Sequence, residues 1–179
     1  MFWRKNNKAS KSGFKCSQCG EVHEDWPALT FISPTPFHNL SDNEKETIGN
    51  LSSDFCTIEY EDQTDRFIRV VLNQKVNNHP ESLQYGFWVS LSEKSYDDYY
   101  NNFENENHET KYFGWLSNYL VDYDNSESIP TTVITKRGND RPEIIPHDDF
   151  DHQFVRDYYN GISKEEAERR IHNMMNNNS

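Results

Sequence analysis

Between Leu83 and Leu91 the side chains sort cleanly onto two sides of an extended chain. Leu83, Tyr85, Phe87, Val89 and Leu91 share one face, and Gln84, Gly86, Trp88 and Ser90 share the other. A strand with a continuous apolar face cannot stand alone; it needs neighbours in a sheet and a layer to cover it. Trp88, on the second face, either packs under a helix or lies on a binding surface, and packing is the expectation. Neighbouring strands are predicted over residues 55–60 and 66–72, around the polar turn Glu61-Asp62-Gln63-Thr64-Asp65. Thr131 to Lys136 and Arg141 to Ile145 flank Arg137-Gly138-Asn139-Asp140, which reads as a hairpin.

Helix signals lie between these strands. Ser41-Asp42-Asn43-Glu44 is a capping box that predicts a helix running to about Ser52, and Ser95-Tyr96-Asp97-Asp98 is a second box. Tyr96, Tyr99, Tyr100 and Phe103 follow helical spacing and form an aromatic stripe, read as core rather than as a ligand cage. Phe113, Leu116, Tyr119 and Leu120 suggest a short helix. Asp151 is placed to cap a helix through Tyr158 that Gly161 ends. Ser163 opens the last helix, with Ala167, Ile171 and Met174 on one side. Pro27, Pro34 and Pro36 keep the stretch around them extended or turned. The fold class expected is therefore α+β, an antiparallel or mixed sheet with several short helices and an N-terminal zinc-knuckle-like turn.

Can such a polar chain close a core? Only 34% of its 179 residues are apolar, but 14% are aromatic, and each buried ring removes roughly 150–250 Å² from water. Aromatic packing carries the core. Residues 1–13 read as a basic tail, residues 14–175 as a single domain with the knuckle-like segment at 14–31, and residues 176–179 as an Asn-rich tail. The net charge of −12 disfavours nucleic acid, and Lys and Arg form no patch. It suits instead a protein partner docked through an acidic surface. No stretch approaches the ~20 apolar residues of a membrane span, and the N-terminus lacks the apolar core of a signal peptide, so a cytoplasmic location is expected.

The one local motif with a chemical mechanism is Cys16-Ser17-Gln18-Cys19-Gly20 followed by His23. Zinc takes four ligands in structural sites from thiolates and imidazoles, and a tight turn with glycine points two sulfurs inward. The chain has no second Cys-x-x-Cys. His23 is the first choice for a third ligand, with Cys56, or one of His147 and His152, completing the shell, and His38 a further candidate. A thioredoxin-like role for the pair lacks the surrounding βαβ unit. The run Pro146-His147-Asp148-Asp149-Phe150-Asp151-His152 gathers two histidines and three carboxylates, which suits metal binding, acid–base work or a polar loop that caps a helix. Cys56 sits in Phe55-Cys56-Thr57-Ile58, which reads as a core strand with an inert thiol. A nucleophile elbow and a phosphate-cradling glycine loop are both absent from the sequence.

Five blocks resemble the bacterial family known as domain of unknown function 2199: Phe14 to Phe31, Glu61 to Leu72, Leu83 to Phe103, Tyr112 to Leu120 and Arg141 to Ile171. The resemblance spans nearly the whole chain between its tails. It implies a single-domain bacterial protein and a shared role for Cys16, Cys19, Gly20 and His23, and it implies no activity. Gln153 stands where the family places a proline after the second histidine of the late cluster. The leading functional expectation is a non-catalytic zinc-binding or protein-interaction module, one version being an immunity-type protein whose acidic face docks a toxin. The alternative is a metal-dependent enzyme, such as a hydrolase, using His147, Asp149 and His152 around an open metal site.

Overall fold

A computed structural model describes residues 14–15, 22–23, 26–138 and 140–177 of the chain. The elements run β1 (Phe14–Lys15), β2 (Val22–His23), β3 (Leu29–Thr30), α1 (Thr35–His38), α2 (Asp42–Thr47), β4 (Gly49–Leu51), β5 (Phe55–Glu59), β6 (Thr64–Gln74), β7 (Leu83–Ser90), α3 (Glu93–Asn101), β8 (Lys111–Leu116), β9 (Pro130–Ile134), β10 (Glu143–Pro146), α4 (Gln153–Asn160) and α5 (Lys164–Asn177).

The expected α+β class holds, and its sheet is mixed and closes on itself. β6 and β7 form the longest ladder, antiparallel from Phe67↔Ser90 to Gln74↔Leu83. From β7 the ring continues antiparallel through β8, β9 and β10, and β10 returns to β6 in parallel at Glu143↔Val71. The parallel contact is a requirement of parity. Each antiparallel neighbour reverses strand direction, so a ring of five cannot close unless one contact is parallel. β6 and β7 are longer than the ring needs, and their surplus edges carry further strands. β5 and then β4 add antiparallel beside the first half of β6, and β3 adds parallel beside Tyr85 and Gly86 of β7.

Alternation on the shared ladder creates two apolar clusters. Ile68, Val70 and Leu72 of β6 and Leu83, Tyr85, Phe87 and Val89 of β7 turn into the main core with Leu116, Val133 and Ile144. The helices add Phe154, Val155, Ala167 and Ile171, all buried. Phe67 and Trp88 turn the other way and pack with Cys56, Ile58 and Phe37. Trp88 is thus a packing residue, as expected. Its indole N–H donates to the Phe31 carbonyl at 3.1 Å. β3 lies so close that a Cβ on Gly86 would sit 3.0 Å from Thr30 Cγ2.

Local expectations fared unevenly. The Ser41 capping box is complete, with Glu44 N–H donating to Ser41 Oγ and Ser41 N–H to the Glu44 carboxylate. Its helix stops at Thr47 because Gly49 to Leu51 pair with β5. Ser92, not Ser95, caps α3. Of the residues expected as a helix, Phe113 to Leu116 lie in strand β8 and Tyr119 and Leu120 in the irregular segment after it; Tyr112, Gly114 and Leu116 are buried while Phe113 and Trp115 face outward, so period two prevails over the apparent helical spacing. α4 is capped by His152 rather than Asp151 and ends at Gly161, whose φ of 80° suits glycine. The expected zinc-knuckle turn is not part of the described fold, since Cys16, Cys19 and Gly20 lie outside the described residues. β1 and β2 flank that stretch and pair antiparallel, Phe14↔His23 and Lys15↔Val22.

Phe154 is fully buried and packs edge-on against Phe87, with ring centroids 6.0 Å apart. Phe154→Ala is expected to cost about 3–5 kcal/mol of stability, read as a shift of the urea midpoint.

Candidate functional site

A cleft of about 550 Å³ opens where three parts of the chain meet: β3 and the segment after it, the segment following β8, and one face of α5. One side chain ties both of its walls to β7. At Trp88 the edge of β7 has lost β3 and not yet met β8. Asn118, 1% exposed, fills that gap: its Oδ1 accepts from the Trp88 N–H at 2.7 Å, and its Nδ2 donates to the Ser33 carbonyl at 2.9 Å. Ser117 N–H donates to the Trp88 carbonyl at 2.9 Å and its own carbonyl accepts from Thr35 N–H at 2.8 Å. Ser126 Oγ accepts from the Leu120 N–H at 2.6 Å. Backbone groups that neither strand could satisfy are therefore paired, and both walls are fixed to β7.

The floor is apolar apart from one charge. Leu29, Tyr85, Leu120 and Tyr123 are buried there, and Arg170 is 2% exposed. All three kinds of guanidinium nitrogen are engaged: Nε donates to Glu166 Oε1 at 2.8 Å, Nη2 to Asp157 Oδ2 at 3.0 Å and Nη1 to the Tyr85 hydroxyl at 3.3 Å. The group also lies 4.9 Å from the Tyr123 ring centroid, and Tyr123 donates to Asp157 Oδ2 at 2.6 Å. A buried cation is tolerated because two carboxylates and an aromatic face surround it. This arrangement holds a surface in place. It leaves Arg170 little capacity for a ligand, and no lining hydroxyl is bonded to a histidine among the described residues. At the rim, by contrast, Ile32, Val121 and Tyr119 are 83%, 59% and 49% exposed. The geometry suits binding.

The sequence-derived candidates occupy separate surroundings. Cys16 and Cys19 lie outside the described residues, and of His23 only the backbone pairing with Phe14 is described. Cys56 is 1% exposed in the second apolar cluster, where burial pushes its thiol up to about 12. His147 shares a 3.1 Å hydrogen bond between Nε2 and Thr132 Oγ1, with its ring against Phe113. His152 uses both ring nitrogens: Nδ1 accepts the Phe154 N–H at 3.1 Å and Nε2 donates to the Asp124 carbonyl at 2.7 Å. Asp151 pairs with Arg156, and His38 stands exposed at the cleft rim. Among the described residues no three of His, Cys, Asp and Glu are grouped to hold a metal ion. None of their helices is long and apolar enough to cross a membrane. Sequence reading missed Asn118 and Arg170. The first gives no periodic signal, and the second hides as a charge beside Ile171 on a helix read for its apolar residues.

A family model described as an uncharacterized protein conserved in bacteria (DUF2199) matches residues 15–162. No curated protein and no solved structure matches the chain.

Glu166 accepts from Arg169 Nε and Nη2 at 2.8 and 2.7 Å and from Arg170. Arg169 foremost, with Arg170, holds its carboxyl at about 2, below the usual 4.5. A lowered folded-state value means that the unfolded chain takes up the proton first. The stabilisation is therefore complete above about pH 4.5 and is lost as pH falls toward 2. Glu166→Gln is expected to flatten the stability–pH curve across that window, measured by thermal melts at stepped pH.

Proposed function

This chain belongs to the DUF2199 family, conserved in bacteria, and from that premise we propose that it is a non-catalytic module that binds a protein partner along β3. The observation that carries this reading is the outer edge of β3 beside the cleft, which no described strand pairs. β3 ends the strand order among the described residues. Phe31 N–H donates to the Gly86 carbonyl at 3.0 Å, so the backbone groups of Thr30 and Ile32 turn away from β7. They make no hydrogen bond to another described residue. An extended partner segment can pair with this edge by strand addition and place an apolar side chain in the cleft, against Leu120 and Tyr123. With Glu127 in the lining and a net charge of −12, that segment is basic. An immunity-type role, with the acidic face on a basic toxin, is one form of the same reading. The test is calorimetric titration with extended peptides that alternate apolar and basic residues. Ile32→Asn and Val121→Asn, both at exposed positions, are expected to weaken binding about three- to tenfold with the melting temperature unchanged. Peptides that fail to bind, or bind both variants as well as the parent, would refute it.

We further propose a structural zinc site on Cys16, Cys19 and His23. What supports it is the pairing of Lys15 with Val22, which draws together the two ends of the stretch carrying both cysteines. Elemental analysis of the purified protein is expected to find about one zinc per chain, lost in a Cys16→Ser/Cys19→Ser variant. Equal metal content in the two would count against it.

A further inference from the structure

The aromatic stripe on α3 divides in two. Tyr99 is buried in the main core, whereas Tyr100 is 57% and Phe103 39% exposed. The exposed half lines a second cleft, of about 460 Å³, between α3 and the β4–β5 edge. Phe55 of β5 forms its centre: the rings of Tyr100 and Phe103 both stand edge-on to it at 4.9 Å, and that of Tyr96 at 5.9 Å. Tyr96 and Tyr100 stack at 6.1 Å. Burial pushes the Tyr96 hydroxyl up to about 12, so this wall is neutral at physiological pH. Among the described lining residues Glu104 is the only acidic one, and none is Lys, Arg or His. Four rings and one carboxylate favour a cation; Arg66, whose charge acts on Tyr96, is paired with Glu93 at 2.8 Å.

We propose that this cleft binds an organic cation through its aromatic faces, and specifically a methylated ammonium head group. A guanidinium brings a fork of donors that seeks an in-plane carboxylate pair. Asp54, next to Phe55, is already bonded by Arg141 at 2.6 Å and by Ser53 at 2.7 Å. A fully methylated, quaternary ammonium has no such donors; it needs ring faces for its methyl shell and one carboxylate for its charge. This site is separate from β3, and its test is independent of the peptide experiment.

The full chain is titrated with tetramethylammonium chloride, with sodium chloride at equal ionic strength as the reference, and the aromatic proton resonances are followed by NMR. Saturable shifts are expected on Tyr96 and Tyr100 with tetramethylammonium only. Tyr100→Ala, at an exposed position, is expected to weaken binding about fivefold or more and Glu104→Gln about two- to threefold, with the rest of the spectrum preserved. Shifts that do not saturate, or that persist at parental affinity in Tyr100→Ala, would overturn the site. Saturation by arginine amide without saturation by tetramethylammonium would overturn the head-group assignment.

Discussion

Ring closure at the single parallel contact between β10 and β6 is the constraint on which the rest of the molecule depends. Five strands cannot form a closed antiparallel ring, so one pair must run in the same direction, and the chain meets this by bringing β10 to the second half of β6, where Val71 N–H donates to the Pro142 carbonyl at 2.9 Å. The first half of β6 stays free for β5, and the same division on β7 leaves room for β3. A barrel with extra strands on two surplus edges follows from one odd number. Both clefts follow from it too, since each lies where a surplus strand meets a helix or loop rather than another ring strand.

The wall of the first cleft illustrates how an interruption in a ladder becomes a surface. Where β7 passes from one neighbour to the next, a backbone N–H would be left without a partner inside the protein, at a cost of about 1–3 kcal/mol. Asn118 fills that position and ties down the segment leading to Ser33. Arg170 fixes the floor in a similar way, since its donors bind Glu166, Asp157 and Tyr85 from three parts of the chain. Polar groups thus position apolar walls here, which is how a chain with only 34% apolar residues keeps an organised cleft.

Much of the ladder was legible in the sequence. The alternation over Leu83 to Leu91, the hairpin around Gly138, the Ser41 box and the apolar side of the last helix all correspond to elements of the structure. These signals are local, and local spacing records them. Closure was not legible, because the β10–β6 contact joins residues about seventy positions apart through one backbone pair and leaves no pattern in either segment. Phe113 and Trp115 misled because aromatic residues three or four apart occur both on helices and on strands with one exposed face. Of the candidate site residues, Cys56 was recognisable as a core thiol, whereas the roles of His147 and His152 depend on Thr132 and Asp124, which no spacing rule connects to them. Asn118 does its work only through its place in space.

The β6–β7 ladder has one further consequence. Because one hairpin is the wall of both apolar clusters, neither cluster has a private scaffold. Loosening Trp88 disturbs the strand that also carries Phe87 and Val89, and loosening those frees Trp88 in turn. The two halves of the molecule therefore share one cooperative unit. Slow amide exchange should trace a single protected band along both strands, and sequence change within the fold is channelled toward the loops at the ends of that band.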